Sequence, residues 1–131
     1  MVRSIKIASD VRNIHEVEYF LNSLLKDFRI ERKTYCKMYL ATTEGVNNAI
    51  IHGNKSDAQK QVDVRFEDQL SYFEIWISDS GKGFNIKTIQ DPTHKDNIKK
   101  ESGRGIFIMK QYADKVVWEN NGSTVHLIFN K

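Results

Sequence analysis

Glu44, Asn48 and His52 recur every four residues within the stretch Glu44-Gly-Val-Asn-Asn-Ala-Ile-Ile-His-Gly-Asn-Lys55. On an α-helix that spacing stacks side chains on one face with β-carbons roughly 5–6 Å apart, which would line a carboxylate, a carboxamide and an imidazole along one groove. The carboxylate could act as a base, the carboxamide oxygen suits a hard cation, and the imidazole could touch a phosphate or a lid. A solvated helix face has the same pattern when taken alone. Further on, Asp79 shares a strand face with Phe73, Ile75 and Ile77, because side chains two apart point the same way. Burying a carboxylate is costly unless donors meet it. Asp79 is therefore either exposed as turn chemistry, Asp-Ser-Gly being a common exit from a strand, or retained to grip a ligand.

Gly81 and Gly83 follow, and glycine lets a backbone fold tightly and approach a ligand with no β-carbon in the way. From Asn85 to Glu101 there is little apolar periodicity, and a stretch that long reads as a lid. It ends in Ser102-Gly-Arg-Gly105, after which Ile106, Phe107, Ile108, Met109 and Tyr112 predict a short helix. Backbone N–H groups at its glycine-opened start, together with Arg104, suit phosphate. Neither the P-loop pattern nor a three-glycine dinucleotide fingerprint is present, so any nucleotide would be held in another way.

The elements that must position these groups can be read from periodicity. Ile5 and Ile7 alternate in a short edge strand, Asp10 is a helix N-cap, and Val11, Ile14, Val17, Phe20, Leu21, Leu24, Leu25 and Phe28 follow at helical spacing. A second helix is expected from near Glu31 through Ile50, ending at Gly53 and Asn54, so the Glu44 row occupies its C-terminal end. Val62, Val64 and Phe66 alternate with polar residues, as do Phe73, Ile75 and Ile77, giving a β-hairpin about Asp68-Gln69. Lys115 to Glu119 and Ser123 to Phe129 form a closing hairpin about Asn120-Asn121-Gly122. Thr124 opens the last strand as an ordinary β-former, with a hydroxyl that could reach a ligand held by the neighbouring strand.

Composition bounds what this groove belongs to. A chain of 131 residues is expected to form one domain, residues 1–131, and to bury about two thirds of its unfolded surface. Hydrophobic content of 40% and charged content of 28% describe a folded soluble protein. Twenty Lys plus Arg against seventeen Asp plus Glu leave a net +3, too weak and scattered for direct nucleic-acid binding. Cys36 stands alone, so no intramolecular disulfide forms and a reducing cytoplasm is the expected compartment. No run approaches the ~18 apolar residues of a membrane span, and the N-terminus lacks a signal-peptide design.

Taken together, Glu-x-x-x-Asn-Ala-x-x-His-Gly (Glu44 to Gly53), Asp-x-Gly-x-Gly (Asp79 to Gly83), Ser-Gly-x-Gly (Ser102 to Gly105) and Gly-Ser-Thr (Gly122 to Thr124) resemble the N box and glycine boxes of the GHKL ATPases. In order, spacing and length the chain is most similar to the bacterial anti-sigma factor serine/threonine kinases, and the resemblance covers essentially all of it. It implies an α+β fold: a two-layer α/β sandwich whose mixed, mostly antiparallel sheet is covered on one face by helices, with ATP and Mg²⁺ between helices and lid. Carried over by position, Asn48 would bind Mg²⁺ that bridges the phosphates and Glu44 would be the general base. Asp79 would accept a hydrogen bond from the adenine amino group, assisted by Thr124. Gly81 and Gly83 would let the chain close around the base, and Ser102, Gly103, Arg104 and Gly105 would touch phosphates.

The function so implied is phosphorylation of a small anti-sigma-factor antagonist protein on serine or threonine, alternating with sequestration of a sigma factor in a partner-switching system. A homodimer is compatible with it. Two alternatives are a nucleotide-dependent protein-binding module with vestigial catalysis and the catalytic domain of a histidine kinase, the latter disfavoured because no phosphoacceptor helix pair precedes the site. Two departures stand out. Gly45 interrupts a helix beside the base, where glycine costs about 1 kcal/mol relative to alanine, and Asn47 competes with Asn48 for the metal. Asn48 is preferred because it lies four residues from both Glu44 and His52.

Overall fold

A computed structural model describes residues 1–80 and 101–131. Gly81, Gly83 and all of the expected lid but Glu101 lie outside the described residues. Strand β1 (Val2–Ala8) leads through a 3₁₀ turn (Val11–Asn13) to helices α1 (Ile14–Asp27) and α2 (Arg32–Asn48). Strands β2 (Gln61–Asp68) and β3 (Tyr72–Ser78) follow, then helix α3 (Glu101–Tyr112) and strands β4 (Lys115–Glu119) and β5 (Thr124–Asn130). The strands form one five-stranded sheet in the order β1-β2-β3-β5-β4, and every described pairing is antiparallel. The expected sheet beneath a helical layer is present.

Register follows from the apolar alternation. Ile7 pairs with Val62, Phe66 with Ile75, Val64 with Ile77, Ile75 with Leu127 and Phe73 with Phe129, so the apolar sets of neighbouring strands coincide on one face. A slip of one residue would turn each set to the other side. Phe66, Ile75, Leu127 and Phe129 are fully buried, together with Leu21, Leu24, Met38, Val46, Ile50 and Met109 from the helical side. The opposite sheet face is polar and aromatic. There Trp76 stacks on His126 with ring centroids 4.4 Å apart, Arg65 lies over Trp76 at 4.2 Å, and His126 Nε2 is 2.9 Å from Glu74 Oε1.

Asp10 does cap, but it caps the 3₁₀ turn, accepting the backbone N–H of Arg12 at 2.9 Å. Helix α1 therefore begins at Ile14 rather than Val11, and Val11 is left exposed. The Arg12 guanidinium, bonded to the Asp10 carboxylate at 2.6 Å, holds its pKa down at about 2. Val17, Phe20, Leu21 and Leu24 form the buried face of α1, as the spacing predicts. Tyr39 of α2 donates its hydroxyl to Glu18 at 2.6 Å and Tyr35 donates to Asn22 at 2.9 Å, fixing the two helices side by side. Among the described residues no helix is long and apolar enough to cross a membrane.

Two helix ends differ from expectation in ways that shape the site. α2 proper stops at Asn48 and continues as a wide π-helical turn, Ala49–Gly53. The N–H of Asn54 reaches back five residues to the Ala49 carbonyl at 2.8 Å, and that of Ser56 reaches Ile50 at 2.7 Å. Helix α3 begins at Glu101, so Ser102 to Gly105 form its first turns instead of a loop ahead of it.

Candidate functional site

The site lies where the C-terminal end of α2 meets the start of α3 and the adjoining ends of β3 and β5. Gly45, the residue that weakens α2 as an isolated helix, is buried. A β-carbon there would fall 2.5 Å from Ile77 Cδ1 and 3.2 Å from Met109 Sδ. Glycine is what lets α2 lie this close to both β3 and α3. The same close approach is repeated at Gly105, where a β-carbon would stand 3.2 Å from Asn48 Oδ1 and 3.5 Å from Glu44 Oε2. Thus a carboxylate oxygen and a carboxamide oxygen converge under the first turns of α3. The helix dipole favours anions toward the N-terminal end of α3.

Beside this pair opens a cavity of about 160 Å³. It is lined by the apolar residues Ile77, Ile106, Met109, Trp118 and Val125 and by the polar residues Asn48, His52, Lys55, Asp79 and Ser123. Asp79 is placed by its backbone, whose N–H donates to the Ser123 carbonyl at 2.9 Å, one residue beyond β3. Its carboxylate lies directly against Gly53, so that a β-carbon at Gly53 would overlap both carboxylate oxygens. His52 Nε2 is buried and has no hydrogen-bond partner among the described residues.

The row Glu44, Asn48, His52 is therefore divided. Glu44 and Asn48 share the surface beneath Gly105, while His52, carried by the π turn, borders the cavity with Asn48 and Asp79. Asn48, not Asn47, is the amide that faces α3. Gly103 is buried in the first turns of α3 and Arg104 is exposed; the side chain of Ser102 lies outside the described ones.

Thr124 is a correction. It faces the opposite side of the sheet, where its hydroxyl is 2.9 Å from Ser78 Oγ and accepts from Asn120 Nδ2 at 3.2 Å. Strand parity explains it: Val125, Leu127 and Phe129 point to the helical layer, so Thr124 and His126 must point away. The residue beside the cavity is Ser123, which lies just ahead of β5 with a helical backbone and donates its hydroxyl to the Asn120 carbonyl at 2.9 Å. No alternation signal in the sequence marks it, because the turn rather than the strand sets its position.

A slot with apolar walls and a carboxylate at its border suits a flat heterocycle carrying an exocyclic amine, which donates to the carboxylate. The oxygen pair beneath α3 suits a hard cation bound jointly with an anion, and no cluster of three or more His, Cys, Asp or Glu among the described residues offers a self-sufficient metal site.

Comparison with known proteins bears on that chemistry. The family described as Histidine kinase-like ATPase domain matches residues 7–129. "Serine-protein kinase RsbW" of Bacillus licheniformis is 34% identical over 98 residues, which are 67% of this chain and 59% of that protein. "Anti-sigma F factor" of Geobacillus sp. (strain WCH70) is 35% identical over 91 residues, 65% of this chain and 62% of that protein. The chain thus spans about three fifths of the length of the curated relatives it matches. The crystal structure of the RsbU and RsbW domains of Rv1364c from Mycobacterium tuberculosis aligns with a TM-score of 0.66 at 14% identity, covering 100% of this chain and 33% of that one, a likeness of fold.

Proposed function

This chain belongs to the histidine kinase-like ATPase domain family, whose membership implies ATP binding, and from that premise we propose that it is a Mg²⁺-ATP-dependent protein serine/threonine kinase. Its residues 1–131 act as one domain that phosphorylates a small antagonist protein and, in alternation, sequesters a sigma factor in the cytoplasm. The observation that supports the chemistry is the convergence of Glu44 Oε2 and Asn48 Oδ1 beneath Gly105, next to a cavity bordered by Asp79. The names of the two relatives support the choice of substrate and partner.

In this reading adenine enters the apolar slot and Asp79 accepts its amino hydrogen, a charge-assisted bond about twice as strong as a neutral one. The triphosphate then runs toward α3, where backbone N–H groups around Ser102 to Gly105 and the Arg104 guanidinium meet it. Asn48 would hold Mg²⁺, which would supply charge neutralisation at the phosphates. Glu44, beside Asn48, takes the proton of the incoming hydroxyl. His52, which borders the same cavity, is the remaining contact to phosphate or lid.

Incubation of the chain with γ-labelled ATP, Mg²⁺ and a candidate antagonist tests the proposal. Acid-stable label on a serine or threonine of the antagonist is expected. Retained ATP binding with no transfer would make the chain a nucleotide-dependent binding module, and acid-labile label on a histidine would assign it to the histidine-kinase type.

A further inference from the structure

Asn54 reads in the sequence as a helix stop, yet its side chain is fully buried and spends every hydrogen-bonding group it has. Its Nδ2 donates to Ser9 Oγ at 2.6 Å and to the Gln61 carbonyl at 3.0 Å. Its Oδ1 accepts the backbone N–H of Ser80 at 2.8 Å. Its own N–H donates to Ala49 and its carbonyl accepts from Asp57. The amide orientation is fixed by the partners, since the Ser80 N–H can only donate and the Gln61 carbonyl can only accept.

Ser80 is the residue after Asp79. The chain at the end of β3 is thus tied on both sides: Asp79 N–H to the Ser123 carbonyl of the β5 side, and Ser80 N–H to Asn54 at the end of α2. Asn54 is itself anchored to Ser9, the residue that follows β1, and to Gln61, the first residue of β2. A carboxylate that selects a base must hold its oxygens to within a fraction of an ångström, and the Ser80 N–H bond to Asn54 adds a second backbone tie next to the one Asp79 makes to Ser123.

We propose that Asn54 is a positioning residue for nucleobase selection: by clamping Ser80 it sets the direction of the Asp79 carboxylate. This rests on the reading of Asp79 as the adenine acceptor. Removing the clamp leaves the apolar slot and the phosphate end intact, so the loss falls on discrimination between bases rather than on triphosphate binding as a whole.

The test compares Mg²⁺-ATP and Mg²⁺-GTP affinities, by calorimetry, in the parent and in Asn54→Ala, Ser9→Ala and Asp79→Asn, with thermal unfolding run alongside. The expected result is a parent that prefers ATP, an Asp79→Asn variant that loses the preference, and an Asn54→Ala variant whose ATP-to-GTP ratio falls about tenfold, the worth of one ordinary hydrogen bond. Ser9→Ala, which removes one anchor of Asn54 and spares the rest of the fold, should shift the ratio the same way by a smaller factor. Equal loss for both nucleotides in Asn54→Ala would make Asn54 a purely structural residue and overturn the proposal. If Asn54→Ala does not fold, an unchanged ratio in Ser9→Ala overturns it and a lowered one supports it. No base preference in the parent, or none lost in Asp79→Asn, would instead remove the underlying assignment of Asp79.

Discussion

Replacing Gly53 by alanine isolates the contribution of the Asp79 carboxylate without touching Asp79. Gly53 closes the π turn, and among the described glycines only Gly122 has a positive φ, so alanine at 53 strains no dihedral angle. Its methyl group would, however, occupy the space of the Asp79 carboxylate. The flexible partner yields first: rotating Asp79 off its rotamer costs about 0.5–1.5 kcal/mol, and alanine's better helix propensity returns up to about 1 kcal/mol. Together these two effects change stability by no more than about 1.5 kcal/mol, to which any contact the rotated carboxylate gives up is added. Nucleotide binding should change far more, because a hydrogen bond to a charged group is worth about 1.5–3 kcal/mol, or about 10- to 100-fold in affinity. Calorimetric titration with Mg²⁺-ATP, beside thermal unfolding, measures both. A cooperative melt with parental ATP affinity would refute the role given to the carboxylate. So would an undiminished effect of Gly53→Ala in an Asp79→Asn background, since two changes that act through one bond cannot add.

Glu44→Gln keeps shape and removes basicity, so single-turnover transfer to a protein substrate should fall by about 10²- to 10⁴-fold while Mg²⁺-ATP affinity stays within a few fold; joint loss of both would make Glu44 structural. If the proposed role of its amide oxygen as donor to the cation holds, Asn48→Ala should abolish the Mg²⁺ dependence of ATP binding, read by titrating ATP with and without the metal. Gly105→Val should drive side-chain carbon into the space that already stands 3.2 Å from Asn48 Oδ1 and reduce Mg²⁺-ATP binding by at least about tenfold, with Gly105→Ala intermediate. Asp10, whose folded pKa is lowered to about 2 by Arg12, contributes stability that is present above its unfolded pKa near 3.8 and is lost as pH falls toward 2. Acid unfolding of Asp10→Asn should therefore depend less on pH across that window than the parent does, by circular dichroism.

How far the sequence determined this protein can be seen in particular residues. Alternation in Val62, Val64, Phe66 and in Phe73, Ile75, Ile77 was enough to locate β2, β3 and their paired inner faces, because a period of two admits only one burial pattern. The buried positions of α1 were legible from the 3.6-residue helical repeat, and four ordered motifs carried the family. Where sequence reading stopped short, the deciding contacts are between residues distant in the chain. Gly45 looked like a defect in a helix, and only its approach to Ile77 and Met109 shows why a side chain has no room there. Residue type points to Thr124, whereas the pleat of β5 turns it outward, and Ser123, just ahead of the strand, borders the cavity. His52 was set in line with Glu44 by an ideal helical repeat, but the chain widens after Asn48, and local sequence does not announce a π turn stabilised by tertiary packing. Asn54 reads as punctuation because its three side-chain partners, Ser9, Gln61 and Ser80, are brought to it by the folded sheet. Periodicity reports which face of an element is buried; what meets that face is decided by tertiary structure, since hydrogen bonds and close contacts depend on distances that sequence separation does not encode.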